Sequence, residues 1–350
     1  MARKARASRV TLNDVALRAD VSPVTVSRVL RDPDKVSEAL RSRVNAAVRE
    51  LAYIPNQLAS ALASARTGRV AVIVPSFTNG VFDDYLRAAH DMFVPAGFQV
   101  LVLNSNYAPG HEEKAIATAL GQYPEAIILA GIDQTAQAKR SLRQAGIPVV
   151  QTMEISPDPI DINIGLSHFD AGYAAARHLF ELGHLNVGHI AAPLDSRARK
   201  RVAGYMRAVR EFGGAPAVAS VDSPSSVAVG GSLLVELMDR APATTAVFCG
   251  NDNLALGVLF DCQRQQIRVP DDLSIIGFND LEFSGSACPS LSTVATPRYE
   301  MAQRAAEIIL DIVRGSERRP ERRQIDLGFR VVKRESTSER PGASAVPARI

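Results

Sequence analysis

The chain has 350 residues, of which 46% are hydrophobic and 22% charged, and it contains no tryptophan. This composition is typical of a globular protein of two or three domains and excludes a disulfide-stapled mini-protein. The three cysteines cannot all pair and lack metal-ligand spacing, and no apolar run reaches the ~18 to 20 residues that span a bilayer. We therefore expect a cytoplasmic protein without a membrane segment or a signal peptide.

The net charge of +3 is distributed unevenly along the chain. Residues 1 to 66 hold 12 lysines and arginines against 6 acidic residues, whereas the remainder carries a charge of −3. A basic amino-terminal module on a mildly acidic body is typical of a nucleic-acid-binding head. A solvated basic tail is the alternative that charge alone leaves open.

The first predicted elements are three short helices. Thr11-Leu-Asn-Asp14 has the pattern of a capping box, and Asp20 lies in a short turn where its side chain tolerates a left-handed backbone. Ser22-Pro23 opens a second helix and Ser37-Glu38 a third. Two helices joined by a tight turn and braced by a third describe a helix-turn-helix; an ordinary three-helix bundle is the alternative.

The second helix is predicted to enter the major groove. Val26, Val29 and Leu30 share its inner face, and the opposite face carries Pro23, Val24, Ser27, Arg28 and Arg31. The guanidinium of Arg28 can donate to guanine O6 and N7, whereas Thr25, Ser27 and Ser37 suit phosphate contacts.

After Gly68 the pattern changes to apolar runs of strand length that alternate with amphipathic helices. The predicted strands are Val70–Pro75, Phe98–Leu103, Ala126–Ala130, Ile147–Gln151, Val187–Ala191, Ala246–Cys249 and Leu273–Phe278. The predicted helices are Phe82–Val94, Glu112–Leu120, Ala171–Glu181, Val202–Phe212, Leu254–Gln265 and Tyr299–Val313. Such alternation predicts parallel sheets covered on both faces, and these units are too numerous for one sheet. We predict two doubly wound lobes with a ligand in the cleft between them.

The stretch from Val10 to Ala63 resembles the DNA-binding head and hinge of the lactose repressor family. The resemblance depends on Thr-Val-Ser-Arg at 25–28 and Tyr-Ile-Pro-Asn at 53–56. It implies a hinge helix that orders on operator DNA and inserts Leu62 into a minor-groove step. The complete set of DNA-contacting residues that we predict is Thr11, Leu12, Pro23, Val24, Thr25, Ser27, Arg28, Arg31, Ser37, Asn56 and Leu62.

Two departures from the family pattern affect the head. Asp20 stands where the family usually carries glycine. Pro23 and Val24 occupy the two leading base-reading positions and offer no side-chain hydrogen bond, so apolar contacts with thymine methyl groups are expected there. The operator should therefore differ from that of the lactose repressor.

The resemblance continues to about residue 332 and implies a two-lobed body like a periplasmic sugar-binding protein. It is carried by segments 251–257, 269–278 and 182–184, and segments 72–79, 247–252, 260–264 and 325–329 are similar to gluconate-operon repressors. The family's effector positions fall on Ser76, Asn79, Phe82, Arg201, Asn251, Asp252 and Asn279.

Two of these positions indicate the effector class. Sugar-binding and purine-binding relatives carry an acid where this chain has Asn279, and a carboxylate there would repel an acidic ligand. Arg201 can bind a carboxylate in two-point fashion. We therefore expect a sugar acid such as gluconate or a ketogluconate. The alternative is that Asn279 only satisfies backbone groups at a strand end.

The sequence shows no catalytic set, metal-ligand pattern or cofactor motif, so we expect neither an enzyme nor a cofactor. Two other functions remain open: a solute receptor for transport, which has no use for residues 10–63, and a sugar-acid enzyme. The predicted fold is an all-α helix-turn-helix head plus an α/β body of two doubly wound parallel-sheet lobes. The predicted domains are a DNA-binding head (1–55), a hinge (56–67), a body that binds the effector and forms a homodimer (68–332), and a disordered tail (333–350).

Overall fold

A computed structural model describes residues 10–55, 66–316 and 323–340. The chain divides into two compact units between Thr67 and Gly68. The first unit is entirely helical where it is described, and the second is an α/β body. Each unit is built around its own apolar core.

The head consists of three helices, α1 (Leu12–Arg18), α2 (Pro23–Arg31) and α3 (Glu38–Glu50). Asp20, in the turn between α1 and α2, has φ +51, which confirms the predicted left-handed backbone. The core of the head is formed by alanine and valine side chains at helical spacing, with Tyr53 added from beyond α3; the members are Val15, Ala16, Ala19, Val26, Val29, Val44, Ala47 and Tyr53.

The first lobe of the body contains a six-stranded parallel sheet with the strand order β11-β5-β4-β3-β1-β2. Its strands are β1 (Arg69–Val74), β2 (Gln99–Asn104), β3 (Ala126–Leu129), β4 (Val149–Glu154), β5 (Ile162–Leu166) and β11 (Arg323–Asp326). Helices α4 (Asp83–Phe93), α5 (Pro109–Leu120), α6 (Ala136–Gln144) and α11 (Arg298–Arg314) belong to this lobe. The central strands are buried on both faces, which explains their uninterrupted apolar runs.

The second lobe contains a four-stranded parallel sheet with the order β7-β6-β8-β9. Its strands are β6 (Val187–Ala191), β7 (Ala217–Ser220), β8 (Ala246–Cys249) and β9 (Ser274–Ile276). Its helices are α7 (His168–Glu181), α8 (Ser196–Phe212), α9 (Val227–Arg240) and α10 (Asp252–Gln265). The predicted pair of doubly wound sheets is thereby confirmed.

The described chain passes between the lobes in three places: after β5, between β10 (Thr293–Ala295) and α11, and between β11 and β12 (Arg330–Val332). Strands β10 and β12 pair antiparallel beside the larger sheets. The same connections hold the two lobes together at one end, and polar residues near the strand ends line the space between them.

The expectation of a disordered tail from Lys333 is wrong for residues 333–340. Ser336 is fully buried; its carbonyl accepts from the Ile275 amide at 2.7 Å and its hydroxyl donates to the Ile275 carbonyl at 2.6 Å. Thr337 bonds to Nε2 of His178 at 3.1 Å. Polar side chains and backbone groups anchor this segment to the second lobe, so an apolar repeat is not needed. Residues 341–350 lie outside the described residues.

Candidate functional sites

Side-chain caps fix the start of the first two helices of the head. Thr11 and Asp14 form the predicted capping box, with the Thr11 amide donating to Asp14 Oδ2 at 2.7 Å. At the start of α2, Ser22 Oγ accepts from the Thr25 amide at 3.1 Å and bonds to the Thr25 hydroxyl at 2.8 Å. Pro23 at the first helical position sacrifices no hydrogen bond. The Ser22 cap fixes where α2 begins and therefore which residues lie on its outer face.

The outer face of α2 carries the side chains predicted to contact DNA. Pro23 and Val24 are exposed, with Val24 69% accessible, and Arg28 and Arg31 are exposed one and two turns further on. Arg31 pairs with Asp32 at 3.2 Å, whereas Arg28 has no ion pair among the described residues. Ser27 is half-buried on the same side. The outer face of α2 therefore presents the Arg28 guanidinium beside the apolar side chains of Pro23 and Val24.

The remaining predicted DNA contacts have different surroundings. Leu12 is half-buried and packs against the core of the head, so it contributes to folding. Ser37 is exposed at the start of α3 and makes no capping bond. Asn56 and Leu62, and with them most of the predicted hinge, lie outside the described residues.

A cleft of about 640 Å³, including the part open to solvent, lies between the two lobes of the body. Asn79, Phe82, Arg201, Asn251 and Asn279 line it, so the structure brings together five of the seven predicted effector positions. Other lining residues were not predicted as contacts, and the polar ones are Tyr107, His168, Asp195, Arg197, Ser225, Thr296 and Arg298.

Arg201 is the central cation of the cleft. Its Nη1 donates to Nδ1 of His168 at 2.8 Å, and its guanidinium lies 4.7 Å from the centre of the Phe278 ring. Burial lowers the pKa of Arg201 to about 10, so the side chain remains charged at neutral pH. Burial, and then the charges of Arg201 and Arg197, hold the pKa of His168 well below its usual value, so a neutral imidazole accepts this hydrogen bond.

The charges of the other two lining guanidinium groups are balanced. Arg197 Nε and Nη2 lie 2.9 and 2.5 Å from Asp195 Oδ2. Burial alone would raise the pKa of Asp195, but Arg197 and Arg201 outweigh it and hold that pKa well below the ordinary value. Arg298 Nη2 lies 3.3 Å from Asp84 Oδ2. Arg201 has no carboxylate within 4 Å in the described part of the chain, and its buried Nε makes no hydrogen bond there.

Asn79 and Asn251 are already engaged by protein groups and position neighbouring hydroxyls. Asn79 Oδ1 accepts from the Val81 amide at 3.2 Å, and its Nδ2 donates to the Tyr107 hydroxyl at 3.0 Å. Asn251 caps α10 and donates to Ser225 Oγ at 2.8 Å. The Tyr107 and Ser225 hydroxyls each keep a proton to donate into the cleft.

Asn279 is buried to 6% exposure, and no hydrogen bond of its side chain with the described residues is found. Its backbone is engaged on both sides, with its amide donating to the Val294 carbonyl at 2.8 Å and its carbonyl accepting from Arg298. The side-chain amide therefore retains both its donor and its acceptor for a ligand. The alternative in which Asn279 only satisfies the backbone is not what the contacts show.

The other two predicted effector residues do not line the cleft. Asp252 is fully buried, and its carboxylate accepts from Thr293 Oγ1 at 2.7 Å and from the Leu281 amide at 2.8 Å. It therefore fastens the loop that carries Asn279. Ser76 Oγ accepts from the Thr78 amide at 3.1 Å in a local turn. Asp252 therefore supports the site from within the core, whereas a ligand contact of Ser76 stays a prediction.

Among the described residues, no helix is long and apolar enough to cross a membrane. The same residues contain no cluster of three or more histidine, cysteine or acidic side chains placed to hold a metal ion.

The fold and the cleft define a regulator with a DNA-binding head and a ligand-binding body. Residues 11–56 match the bacterial regulatory proteins of the lacI family, and residues 176–337 match the periplasmic binding protein-like domain. The chain is 40% identical over 331 residues to the HTH-type transcriptional regulator GntR of Pseudomonas aeruginosa, covering 94% of this chain and 96% of that protein. The chain belongs to the lacI family and is a DNA-binding transcriptional regulator.

Solved structures give the same result. A LacI family regulator from Silicibacter pomeroyi is similar with a TM-score of 0.87 and 34% identity, covering 94% of this chain and 99% of the other. The lac repressor dimer bound to operator and an anti-inducer is similar with a TM-score of 0.78 and 27% identity, covering 95% and 100%. These proteins are named as transcriptional regulators or repressors, so the relatives place the chain among regulators and not enzymes.

Proposed function

We propose that this protein is a homodimeric repressor whose operator binding is released by a sugar acid, such as gluconate or a ketogluconate, bound between the lobes. The observation that carries the effector class is that Arg201 has no carboxylate within 4 Å among the described residues, since Asp195 acts on its charge only from a longer distance. Burying a cation without a counter-ion is costly, and a ligand carboxylate supplies that counter-ion with two-point geometry. Arg197 and Arg298 each have a carboxylate within 4 Å, so Arg201 is the lining guanidinium best placed to pair directly with a ligand carboxylate.

The neutral polar groups of the cleft favour a polyhydroxylated chain. The side-chain amides of Asn79 and Asn251 hold the Tyr107 and Ser225 hydroxyls, and these hydroxyls and the Asn279 side-chain amide have hydrogen-bonding capacity left. Phe82 supplies an apolar wall. An amide at 279 accepts and donates without the repulsion that a carboxylate there would exert on an acidic ligand.

The DNA partner follows from the head and from the relatives. The lac repressor in a similar structure is a dimer bound to its operator. A dimer of this chain would place two copies of α2 on half-sites about one helical turn apart, so we expect a pseudo-palindromic operator. The body would then have two conformations, one favoured by the effector and one by the operator. Binding of either weakens binding of the other, with a coupling free energy of about 1 to 3 kcal/mol.

The test compares ligands that differ only in charge. Isothermal titration calorimetry of the full chain should show binding of gluconate, at least tenfold weaker binding of its neutral amide, gluconamide, and none of glucose. Arg201→Gln should remove the preference for gluconate, whereas Arg207→Gln, on an exposed part of the same helix, should keep it. Binding of neutral sugars with no binding of any sugar acid would overturn the proposal.

A second measurement tests the regulatory sign. Duplex DNA selected from a randomised pool by the full-length protein is labelled, and its binding is followed by fluorescence anisotropy. Gluconate should lower the affinity of the wild type and leave that of Arg201→Gln unchanged. If gluconate strengthens operator binding in the wild type, it acts as a co-repressor, and the proposed release of the operator by the effector is wrong.

A further inference from the structure

Two consecutive residues at the effector-facing end of the second lobe have a strained backbone. Asn279 has φ +114 and Asp280 has φ +56, and neither is glycine. Asparagine and aspartate tolerate a positive φ better than other non-glycine residues, but two in succession, one at φ +114, require support from the surrounding structure. The segment that carries the Asn279 amide is therefore held by its neighbours.

Arg298 is the side chain that holds both strained peptides. Its Nη1 donates to the Asn279 carbonyl, and its Nη2 donates to the Asp280 carbonyl at 3.3 Å. The side chain is 6% exposed, and its buried Nε makes no hydrogen bond within the described ranges. The position of the guanidinium is therefore determined by the contacts of its two terminal nitrogens.

The same guanidinium also forms an ion pair within the first lobe, to which its own helix belongs. Arg298 Nη2 lies 3.3 Å from Oδ2 of Asp84, which stands in the first turn of α4. Helix α11, which begins at Arg298, packs along α4 in the first lobe. Arg298 therefore contacts the backbone of an effector-facing residue of the second lobe, and Asp84 orients the Arg298 guanidinium from within the first lobe.

We propose that Arg298 is a positioning residue that couples effector occupancy at Asn279 to the first lobe through Asp84. The proposal rests on the proposed function, because it assumes that the effector contacts Asn279. A ligand that moves the Asn279 peptide displaces the carbonyls on Arg298 and thereby changes the ion pair with Asp84. The effect of the ligand on operator affinity then depends on the ion pair between Arg298 and Asp84, in which Asp84 makes no contact with the ligand.

The test uses Asp84→Asn, because Asp84 does not line the cleft, and Asp83→Asn as a matched control in the same turn of α4. The first readout is amide hydrogen exchange without effector. The amides of residues 279 to 281 donate to Val294, Thr293 and Asp252, so we expect them to be protected in the wild type. Asp84→Asn should accelerate their exchange at least fivefold, and Asp83→Asn should not.

The second readout is the ratio of operator Kd values with and without saturating gluconate. Asp84→Asn should reduce this ratio at least fivefold while its gluconate Kd stays within threefold of wild type and its Tm stays within 3 °C. In an Arg298→Gln background, Asp84→Asn should have no further effect, because the link is already absent.

Each outcome decides the proposal. Unchanged exchange in Asp84→Asn overturns it without reference to any ligand, and so does an unchanged operator ratio with gluconate bound. A wild-type protein that binds no sugar acid overturns the proposed function, and the regulatory role assigned to Arg298 falls with it. If exchange in Asp84→Asn is nevertheless accelerated, the contact between Arg298 and Asp84 does position residues 279 to 281, and only the assigned class of ligand is wrong.

Discussion

Gly172 on α7 faces the backbone of Arg201 on α8 so closely that a Cβ at residue 172 would lie 2.6 Å from the Arg201 Cα. The same crossing places Gly204 against α7, where a Cβ would lie 2.2 Å from the Phe169 carbonyl oxygen. The two helices therefore touch backbone to backbone. This close approach brings the Arg201 guanidinium into hydrogen-bonding distance of His168.

Gly172→Ala should separate α7 from α8 and displace Arg201. Overpacking at a close contact costs about 1 to 3 kcal/mol, so we expect this loss of unfolding free energy together with at least tenfold weaker gluconate binding. Urea denaturation and calorimetry measure the two effects. Gly110→Ala, at a helical position with no atom near its Cβ, is the control and should retain wild-type binding. Wild-type stability and binding in Gly172→Ala would show that the crossing does not position Arg201.

Tyr107→Phe tests the hydroxyl that sequence reasoning missed. The variant keeps the ring and removes one donor held by Asn79, so gluconate binding should weaken about fivefold, which corresponds to ~1 kcal/mol. Calorimetry at pH 7 measures the change. Tyr123→Phe, 78% exposed in the wild type, should bind as the wild type does. An unaltered Kd in Tyr107→Phe would remove this hydroxyl from the effector site.

Because a histidine is buried in the core of the second lobe, we expect the protein to lose stability in mild acid. His189 is fully buried; its Nδ1 donates to the Phe248 carbonyl at 2.7 Å, and its Nε2 has no hydrogen-bond partner among the described residues. Burial lowers the pKa of His189 to about 3. Because the unfolded chain binds a proton below about pH 6.5 and the folded chain does not, stability falls as the pH decreases from 6.5 toward 3.

His189→Asn keeps a donor for the Phe248 carbonyl and removes the titration. Between pH 6.5 and pH 5 the wild type should lose about 2 kcal/mol more unfolding free energy than this variant. Urea denaturation across that interval measures the difference, and His90→Asn, at an exposed position on α4, should follow the wild type. Parallel pH profiles for wild type and His189→Asn would contradict the assignment.

Periodicity predicted most strands and helices of the body but missed α6, α9, β5 and β7, although α9 buries Leu233, Leu234 and Leu237. Strands β6 and β8 have the predicted bounds. Strand β5 was missed because Asn163 and Gly165 interrupt its apolar run: Asn163 donates to the Gln151 and Glu154 carbonyls, and Gly165 lies against the Glu154 backbone. A sequence pattern cannot show that a buried amide will find backbone partners.

The site was predictable to the extent that family positions identify it. Arg201 and Asn279 were predicted as facing the cleft, and they line it. Tyr107 and Ser225 were not found, because they lie in loops without periodicity and reach the cleft only through tertiary contacts with Asn79 and Asn251. The Asp195 signal was present, since an acid directly before a basic helix start is an N-cap that can also pair with Arg197.

Arg28→Ala tests the reading of DNA by α2. Its exposed guanidinium has no ion pair in the described part of the head, so it is available for a base edge. We expect operator affinity to fall by about 1 to 3 kcal/mol and one base preference to relax. Fluorescence anisotropy is measured on the selected operator and on duplexes that change one base pair at a time, at fixed salt.

The pattern of loss distinguishes a base contact from a phosphate contact. If Arg28 contacts a base, Arg28→Ala loses affinity mainly for the sequence with the preferred base, and the other positions keep their discrimination. A phosphate contact instead weakens all duplexes alike and lowers the dependence of log K on log salt by about 1. Arg49→Ala, on the exposed side of α3, is the matched control for removal of one positive charge from the head. A uniform loss of affinity in Arg28→Ala would therefore indicate that Pro23 and Val24, and not Arg28, discriminate between bases.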